Sequence, residues 1–224
     1  MSLTSVVIGA RAKHTATVFW LHGLGDSGAG WSFLAEELGK AFPHVKWILP
    51  NAPVAPISMN FGYLMPAWFD LHGLTKESLE TEDEEGMLAS LESVGNLIRD
   101  EVDSGTPANR IVVGGFSQGC ALSLLTGLTS EYKFGGIVGC SGWLALSKKI
   151  SQLASNANKD TPILMCHGDR DQVVKYEYGK ESAETLQSLG YNVSFKTYPG
   201  LTHSANAQEL ADISEFLQKV IPHK

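Results

Sequence analysis

The sequence predicts an α/β protein: a mostly parallel central sheet with helices on both faces. Three observations predict it. Apolar, strand-like runs alternate with segments of helical periodicity from residue 15 onward. Several of those runs are apolar at successive positions, as strands buried on both faces are. The 224 residues, 43% hydrophobic and 18% charged, supply one substantial core. No internal repeat, low-complexity tract or linker divides the chain, so residues 1–224 read as a single domain.

Residues 6–8 read as a short edge strand. Residues 15–21 (Thr-Ala-Thr-Val-Phe-Trp-Leu) are a near-continuous apolar run, read as a strand covered on both faces. The loop His22-Gly23-Leu24-Gly25-Asp26-Ser27-Gly28 follows. Trp31, Leu34, Leu38 and Phe42 then recur at helical spacing, and Pro43 is expected to end that helix. Residues 45–49 form a second buried strand, stopped by Pro50.

Residues 50–85 read as the longest irregular stretch. They include Pro53, Pro56 and Pro66, but also Met59, Phe61, Tyr63, Leu64, Met65, Trp68, Phe69, Leu71 and Leu74. A loop this apolar either covers a site or packs on the core. The acidic run 80–85 marks a solvated helix start, because carboxylates favour helix N-termini. Met87, Leu91, Val94, Ile98 and Val102 form one face of the next helix. Residues 111–115 are a strand and 118–129 its helix. Residues 134–140 and 162–167 are further buried strands. Tyr178, Leu186 and Leu189 mark a helix ended by Gly190. Residues 193–198 are the last strand, and Leu210, Ile213, Leu217 and Val220 mark a final helix before Pro222.

The organising motif is Gly115-Phe116-Ser117-Gln118-Gly119, between the strand 111–115 and the apolar run 121–125. Strand, sharp turn and helix put Ser117 in a strained conformation with its hydroxyl exposed. Gly115 and Gly119 lack Cβ atoms, so strand and helix can approach closely. In parallel sheets, sites form beyond the carboxyl ends of the strands. The loops at those ends carry His22-Gly23-Leu24-Gly25, then Ser117, then Asp169-Arg170-Asp171, then Thr202-His203. Serine, acid and histidine come in that order. With an elbow serine, this is the α/β-hydrolase arrangement rather than the chymotrypsin or subtilisin order. It predicts Ser117 as nucleophile and His203 as general base. Asp169 and Asp171 compete for the carboxylate. Asp171 is favoured, because Asp169 lies closer to the strand end.

An oxyanion needs preorganised donors, and the N–H groups of Leu24 and Gln118 are placed to supply them. His22 lines the pocket or orients a neighbour. Gly25-Asp26-Ser27-Gly28 matches the serine motif of trypsin-like proteases and of lipases with an N-terminal serine. The first are β-barrels with His and Asp ahead of Ser, and the second need Asp-x-x-His near the C-terminus; His203 is preceded by Gly200 instead. Ser27 is therefore read as part of a helix cap. His167-x-Asp169-x-Asp171 has no second histidine cluster beside it, so no metal and no cofactor is expected.

The net charge of −7 argues against nucleic acid and against purely electrostatic binding to anionic lipid. There is no 18-residue apolar stretch, so no integral membrane segment is expected, although transient contact with a membrane surface stays open. The N-terminus lacks a basic region ahead of a long apolar core, so it does not read as a secretory signal. Cys120, Cys140 and Cys166 are odd in number and widely spaced. They suit a reducing compartment, cytoplasmic and open to the nucleus.

On these residues the chain resembles the acyl-protein thioesterase family, also described as lysophospholipase-like carboxylesterases, over nearly its whole length. The resemblance rests on Phe19-Trp20-Leu21-His22-Gly23-Leu24-Gly25-Asp26-Ser27-Gly28, Pro50-Asn51-Ala52-Pro53, Met65-Pro66-Ala67-Trp68-Phe69-Asp70, Gly114-Gly115-Phe116-Ser117-Gln118-Gly119, Cys166-His167-Gly168-Asp169-Arg170-Asp171 and Phe195-Lys196-Thr197-Tyr198. It implies a lidless α/β-hydrolase that cleaves fatty-acyl thioesters on protein cysteines, and often lysophospholipids and small esters. It implies the triad Ser117, Asp171 and His203 and the oxyanion donors Leu24 and Gln118. It also implies an acyl groove along residues 65–74 with Trp143, so that Trp68, Leu71, Leu74, Trp143 and Val173 contact substrate. Two positions depart from the family. Cys120 replaces the usual Gly after the elbow motif and is expected to be buried. Ser2 stands where animal members carry an acylated Cys.

The expected reaction is release of a long-chain acyl group through an acyl-enzyme, with S-acylated proteins as substrates. The alternative is a broad carboxylesterase or lysophospholipase using the same residues. A ligand-binding receptor on the same fold is disfavoured by the intact triad. An imidazole base works only when neutral, so the rate is expected to fall below pH of about 6–7. A homodimer that occludes the groove is compatible with an apolar rim.

Overall fold

The structure, a computed structural model, describes residues 3–223; Ser2 and the side chain of Glu80 lie outside the described set. The chain begins with β1 (Ser5–Ile8), and β2 (Ala16–Leu21) follows. A short 3₁₀ turn leads into α1 (Ser32–Leu38), and β3 (Val45–Pro50) returns alongside β2. The first helix stops earlier than Pro43 predicts. Gly39 caps it by donating its N–H to the Ala35 carbonyl, and Phe42 reaches the core from the following turn.

The stretch 50–85 is not irregular throughout. β4 (Val54–Ile57) and β5 (Tyr63–Pro66) form an antiparallel two-stranded ribbon, with Pro56 opposite Leu64. Proline hides such a ribbon in the sequence. A two-stranded ribbon has a free edge on each strand, where a missing N–H costs little. Val54, Phe61, Tyr63 and Leu64 are exposed on it, Phe61 at 95%. Beyond the ribbon, Ala67, Trp68, Phe69 and Leu71 turn inward and are buried.

Two helices divide the acidic run. α2 (Lys76–Glu80) ends in it and α3 (Glu84–Asp103) begins in it, capped by the Asp83 side chain accepting from the Gly86 N–H. The remaining elements alternate as predicted: β6 (Ile111–Phe116), α4 (Gln118–Thr129), β7 (Gly136–Cys140), α5 (Ile150–Leu153), β8 (Ile163–Gly168), α6 (Tyr176–Ser188), β9 (Val193–Tyr198) and α7 (Ala207–Val220).

The main sheet has seven strands in the order β1-β3-β2-β6-β7-β8-β9. Only the β1–β3 pair is antiparallel, with Ser5 opposite Pro50; the other pairs are parallel. Side chains alternate across it with the period of two that strands impose. Phe19, Leu21, Val113, Ile137 and Met165 face α3, α4 and α6. Val18, Trp20, Val112, Val138 and Leu164 face α1 and α7. With both faces covered, the central strands are apolar at nearly every position, which is the pattern visible in the sequence. Among the described residues, no helix is long and apolar enough to cross a membrane.

Candidate active site

The site forms where β6 gives way to α4. Ser117 sits between them with φ 55° and ψ −119°, a left-handed backbone that costs a non-glycine residue on the order of 1–3 kcal/mol. The turn is held from outside: the Ser117 N–H donates to the Cys140 carbonyl at 2.9 Å. The flanking glycines are obligatory on steric grounds. A Cβ on Gly119 would lie 2.0 Å from the Leu21 carbonyl oxygen, and one on Gly115 would lie 2.5 Å from the Gly119 oxygen.

Ser117 and His203 line one cavity of about 440 Å³, within the range of small-ligand sites. Ser117 Oγ makes no hydrogen bond to a described residue, so it is open to the cavity. His203 lies on the loop after β9, its ring 4.7 Å from that of Phe116, the residue before the serine. Its Nδ1 donates to Asp171 Oδ2 at 2.7 Å, leaving Nε2 for the cavity.

Asp171 is 6% exposed and lies on the loop after β8. Its Oδ1 accepts the N–H groups of Val173 and Val174 at 2.9 and 3.0 Å. Burial pushes its carboxyl up. The hydrogen bonds from His167 and His203 outweigh that, and the group stays well below the usual carboxylate range. Asp169, the competing acid, is exposed, and its Oδ1 accepts the Gly200 N–H instead.

His167 is a residue that sequence reasoning passed over. It is 1% exposed, and its Nε2 lies 2.8 Å from the Val174 carbonyl and 3.3 Å from Asp171 Oδ2. A Cβ on Gly179 of α6 would meet its Nδ1 at 2.1 Å, so the ring is seated against bare helix backbone. The signal in the sequence was a histidine four residues before the acid, read as a strand end and weighed only as a metal ligand.

The two amides proposed as oxyanion donors are free. The Leu24 N–H donates to no described residue. Gln118 begins α4, where N–H groups have no acceptor within the helix. The Gln118 side chain has a separate task. Its Oε1 accepts the Trp68 N–H at 2.9 Å and its Nε2 donates to the Phe69 carbonyl at 2.7 Å. His22 does not line the cavity. Its Nδ1 donates to the Gly23 carbonyl at 2.7 Å and its Nε2 accepts the Ala52 N–H at 3.0 Å, an arrangement that requires the neutral ring. Burial lowers its pKa accordingly. His22 therefore orients the loop that carries Leu24.

The cavity walls correct part of the expected groove. Leu71, Leu74 and Val173 line it. Trp68 does not: it is 2% exposed, and its Nε1–H donates to the His22 carbonyl at 2.8 Å. Trp143 does not either. It is buried edge-on to Phe69 and borders a separate hollow beside α6. An indole that can bury its large apolar surface does so, and the Trp68 N–H also finds a partner inside. Trp31, Phe33, Met59 and Phe116 take the walls in their place. Ser27 lies outside the cavity; its Oγ accepts the Gly30 N–H, as expected of a cap residue. Cys120 is fully buried, and burial pushes its thiol pKa far up.

A sheet of this strand order, with its serine on the elbow after β6 and its acid and histidine after β8 and β9, is that of the α/β-hydrolases. The phospholipase/carboxylesterase family profile matches residues 3–221. The chain belongs to that family, and it is a hydrolase of the esterase class. It is 49% identical to acyl-protein thioesterase 1 of Yarrowia lipolytica over 97% of each chain, and 48% identical to acyl-protein thioesterase 1 of Gibberella zeae over 99% of this chain and 97% of that one. Among solved structures, acyl-protein thioesterase 2 of Zea mays superposes with a TM-score of 0.87 at 35% identity, covering 97% of this chain and 99% of that one.

Proposed function

We propose that this protein cleaves long-chain acyl thioesters on protein cysteines, with Ser117 as nucleophile, His203 as general base and Asp171 as the carboxylate that orients it. The observation that carries the reading is the His203–Asp171 hydrogen bond beside the cavity that Ser117 lines. Ser117 Oγ attacks the thioester carbonyl while His203 Nε2 takes its proton. The oxyanion accepts the N–H groups of Leu24 and Gln118, each worth about 3–4 kcal/mol to the transition state. His203 returns the proton to the departing cysteine thiolate, then activates a water that hydrolyses the acyl-enzyme by the same route. Asp171 stays ionised and stabilises the imidazolium.

The apolar walls, Trp31, Phe33, Met59, Leu71, Leu74 and Val173, suit an aliphatic chain. The exposed ribbon adjoins them, since the Gly25 N–H donates to the Pro66 carbonyl at 2.8 Å. Its Phe61, Tyr63 and Leu64 suit substrates presented at a lipid surface. The family description favours a second reading, a carboxylesterase or lysophospholipase that uses the same residues on oxygen esters. Steady-state rates on acyl thioesters and matched oxoesters of graded length separate the two. A kcat/KM that rises with chain length and is highest for S-palmitoyl peptide supports the proposal. A short-chain or oxoester optimum overturns it.

A further inference from the structure

Behind the elbow, on the α1 and α7 face of the sheet, lie two thiols and a carboxylate that the reaction does not use. Cys140 ends β7 and Cys166 is its registered partner on β8. Glu209 reaches them from the first turn of α7. All three are buried, Glu209 completely. Their sulfur and carboxylate donor atoms lie within 4.8 Å of one another, and no other set of three such side chains clusters this way among the described residues. Neither carboxylate oxygen of Glu209 has a nitrogen or oxygen donor, and the side chain acting on it as a donor is the weak Cys140 thiol. A buried carboxylate left bare costs several kcal/mol, so its neighbourhood calls for a compensating group.

We propose that Cys140, Cys166 and Glu209 form a binding site for one soft divalent cation of the zinc class. Thiolate and carboxylate both ligate zinc, at bond lengths near 2.3 Å for sulfur and about 2.0–2.2 Å for oxygen. Tetrahedral donors at these bond lengths stand about 3.6–3.8 Å apart, so side-chain rotations that draw the three atoms inward by about 1 Å close the site. The ion supplies the charge that Glu209 lacks, and the two thiol protons leave to solvent as it binds. Tyr198 Oη lies 3.3 Å from Cys166 Sγ and donates to Asp212 Oδ2 at 2.9 Å. The cysteines are far apart in sequence, and only the parallel register brings them together.

The site is wired to the elbow. The Cys140 carbonyl accepts the Ser117 N–H at 2.9 Å, the Cys166 carbonyl accepts the Ser141 N–H at 2.8 Å, and Glu209 follows His203 by only six residues. An ion that draws these three side chains together shifts the backbone under the serine and the histidine loop, so occupancy inhibits turnover. The donors are enclosed, so loading needs the first turn of α7 to open, or the ion to be present as the chain folds.

The test uses the full chain, both native and refolded from denaturant, with zinc or cadmium chloride. Equilibrium dialysis reads stoichiometry, ultraviolet absorbance reads thiolate-to-cadmium charge transfer, and hydrolysis of a chromogenic ester reads inhibition. One bound ion with a charge-transfer band is expected. The band disappears in Cys140→Ala and in Cys166→Ala, affinity falls at least about tenfold in Glu209→Gln, and inhibition grows in step with the band. The two cysteine variants keep the result readable if Glu209→Gln fails to fold. Uptake without the band, or equal inhibition of Cys166→Ala, places the ion on His203 or the surface and overturns the proposal. No uptake by either route also overturns it and leaves Glu209 carrying only a proton. Dialysis and absorbance read the site whether or not the thioester substrate proves correct.

Discussion

His203 Nδ1 and Asp171 Oδ2 stand 2.7 Å apart although 32 residues separate them in the chain. The contact exists because β8 and β9 are parallel neighbours, so the loops beyond them emerge side by side. Asp169, two residues earlier, is spent on the Gly200 N–H. Asp171→Asn therefore lowers kcat on the order of 10⁴-fold, by presenting the wrong hydrogen-bond partner to the imidazole. Asp169→Asn changes it no more than about threefold, the exposed carboxylate contributing a single surface contact. Steady-state kinetics on one ester substrate compares the two; a larger loss in Asp169→Asn would reassign the acid.

The same carboxylate links stability to pH. Its folded pKa is held below its ordinary value of 3.8. Between the two values the unfolded chain binds more protons than the folded one. The stabilisation is thus fully present above pH of about 4 and is lost as pH falls toward the folded pKa. His167 donates part of it, so His167→Phe destabilises the protein more at pH of about 7 than at pH of about 2, nearer the folded pKa, and His167→Gln less than Phe at neutral pH. Urea unfolding at the two pH values measures this. An equal loss at both would make His167 a packing residue only.

Much of this was legible in the sequence. Strand ends recur after apolar β-branched runs, and the residues just beyond them, Ser117, Asp171 and His203, follow from that rhythm and from chain order. Side-chain direction was not legible. Trp68 and Trp143 share a loop-and-strand neighbourhood with the cavity, but burial and an internal partner for the Trp68 N–H draw them away from it. Phe33 was invisible because its helix was read only for its inward stripe. The β4–β5 ribbon escaped because its prolines break the pattern of alternation while sitting harmlessly on free edges.

Gln118 offers a separation of roles. Its backbone N–H is the proposed oxyanion donor, and its side chain ties Trp68 and Phe69 to the elbow. Gln118→Ala keeps the first and removes the second, leaving a buried N–H and a carbonyl unpaired. A loss of about 1–3 kcal/mol in unfolding free energy is expected, with KM for long-chain substrates rising more than kcat falls, since Leu71 and Leu74 lie just beyond the released segment. Denaturant melts and a kcat-against-KM comparison on short and long acyl esters check it.

The most direct measurement is intact-protein mass spectrometry of enzyme quenched during turnover of an S-palmitoyl peptide, set beside the same experiment on Ser117→Ala. The account predicts a palmitoyl adduct on the peptide that carries Ser117, and a variant that folds normally yet shows neither adduct nor turnover. An adduct on another residue, or undiminished hydrolysis by Ser117→Ala, would contradict it.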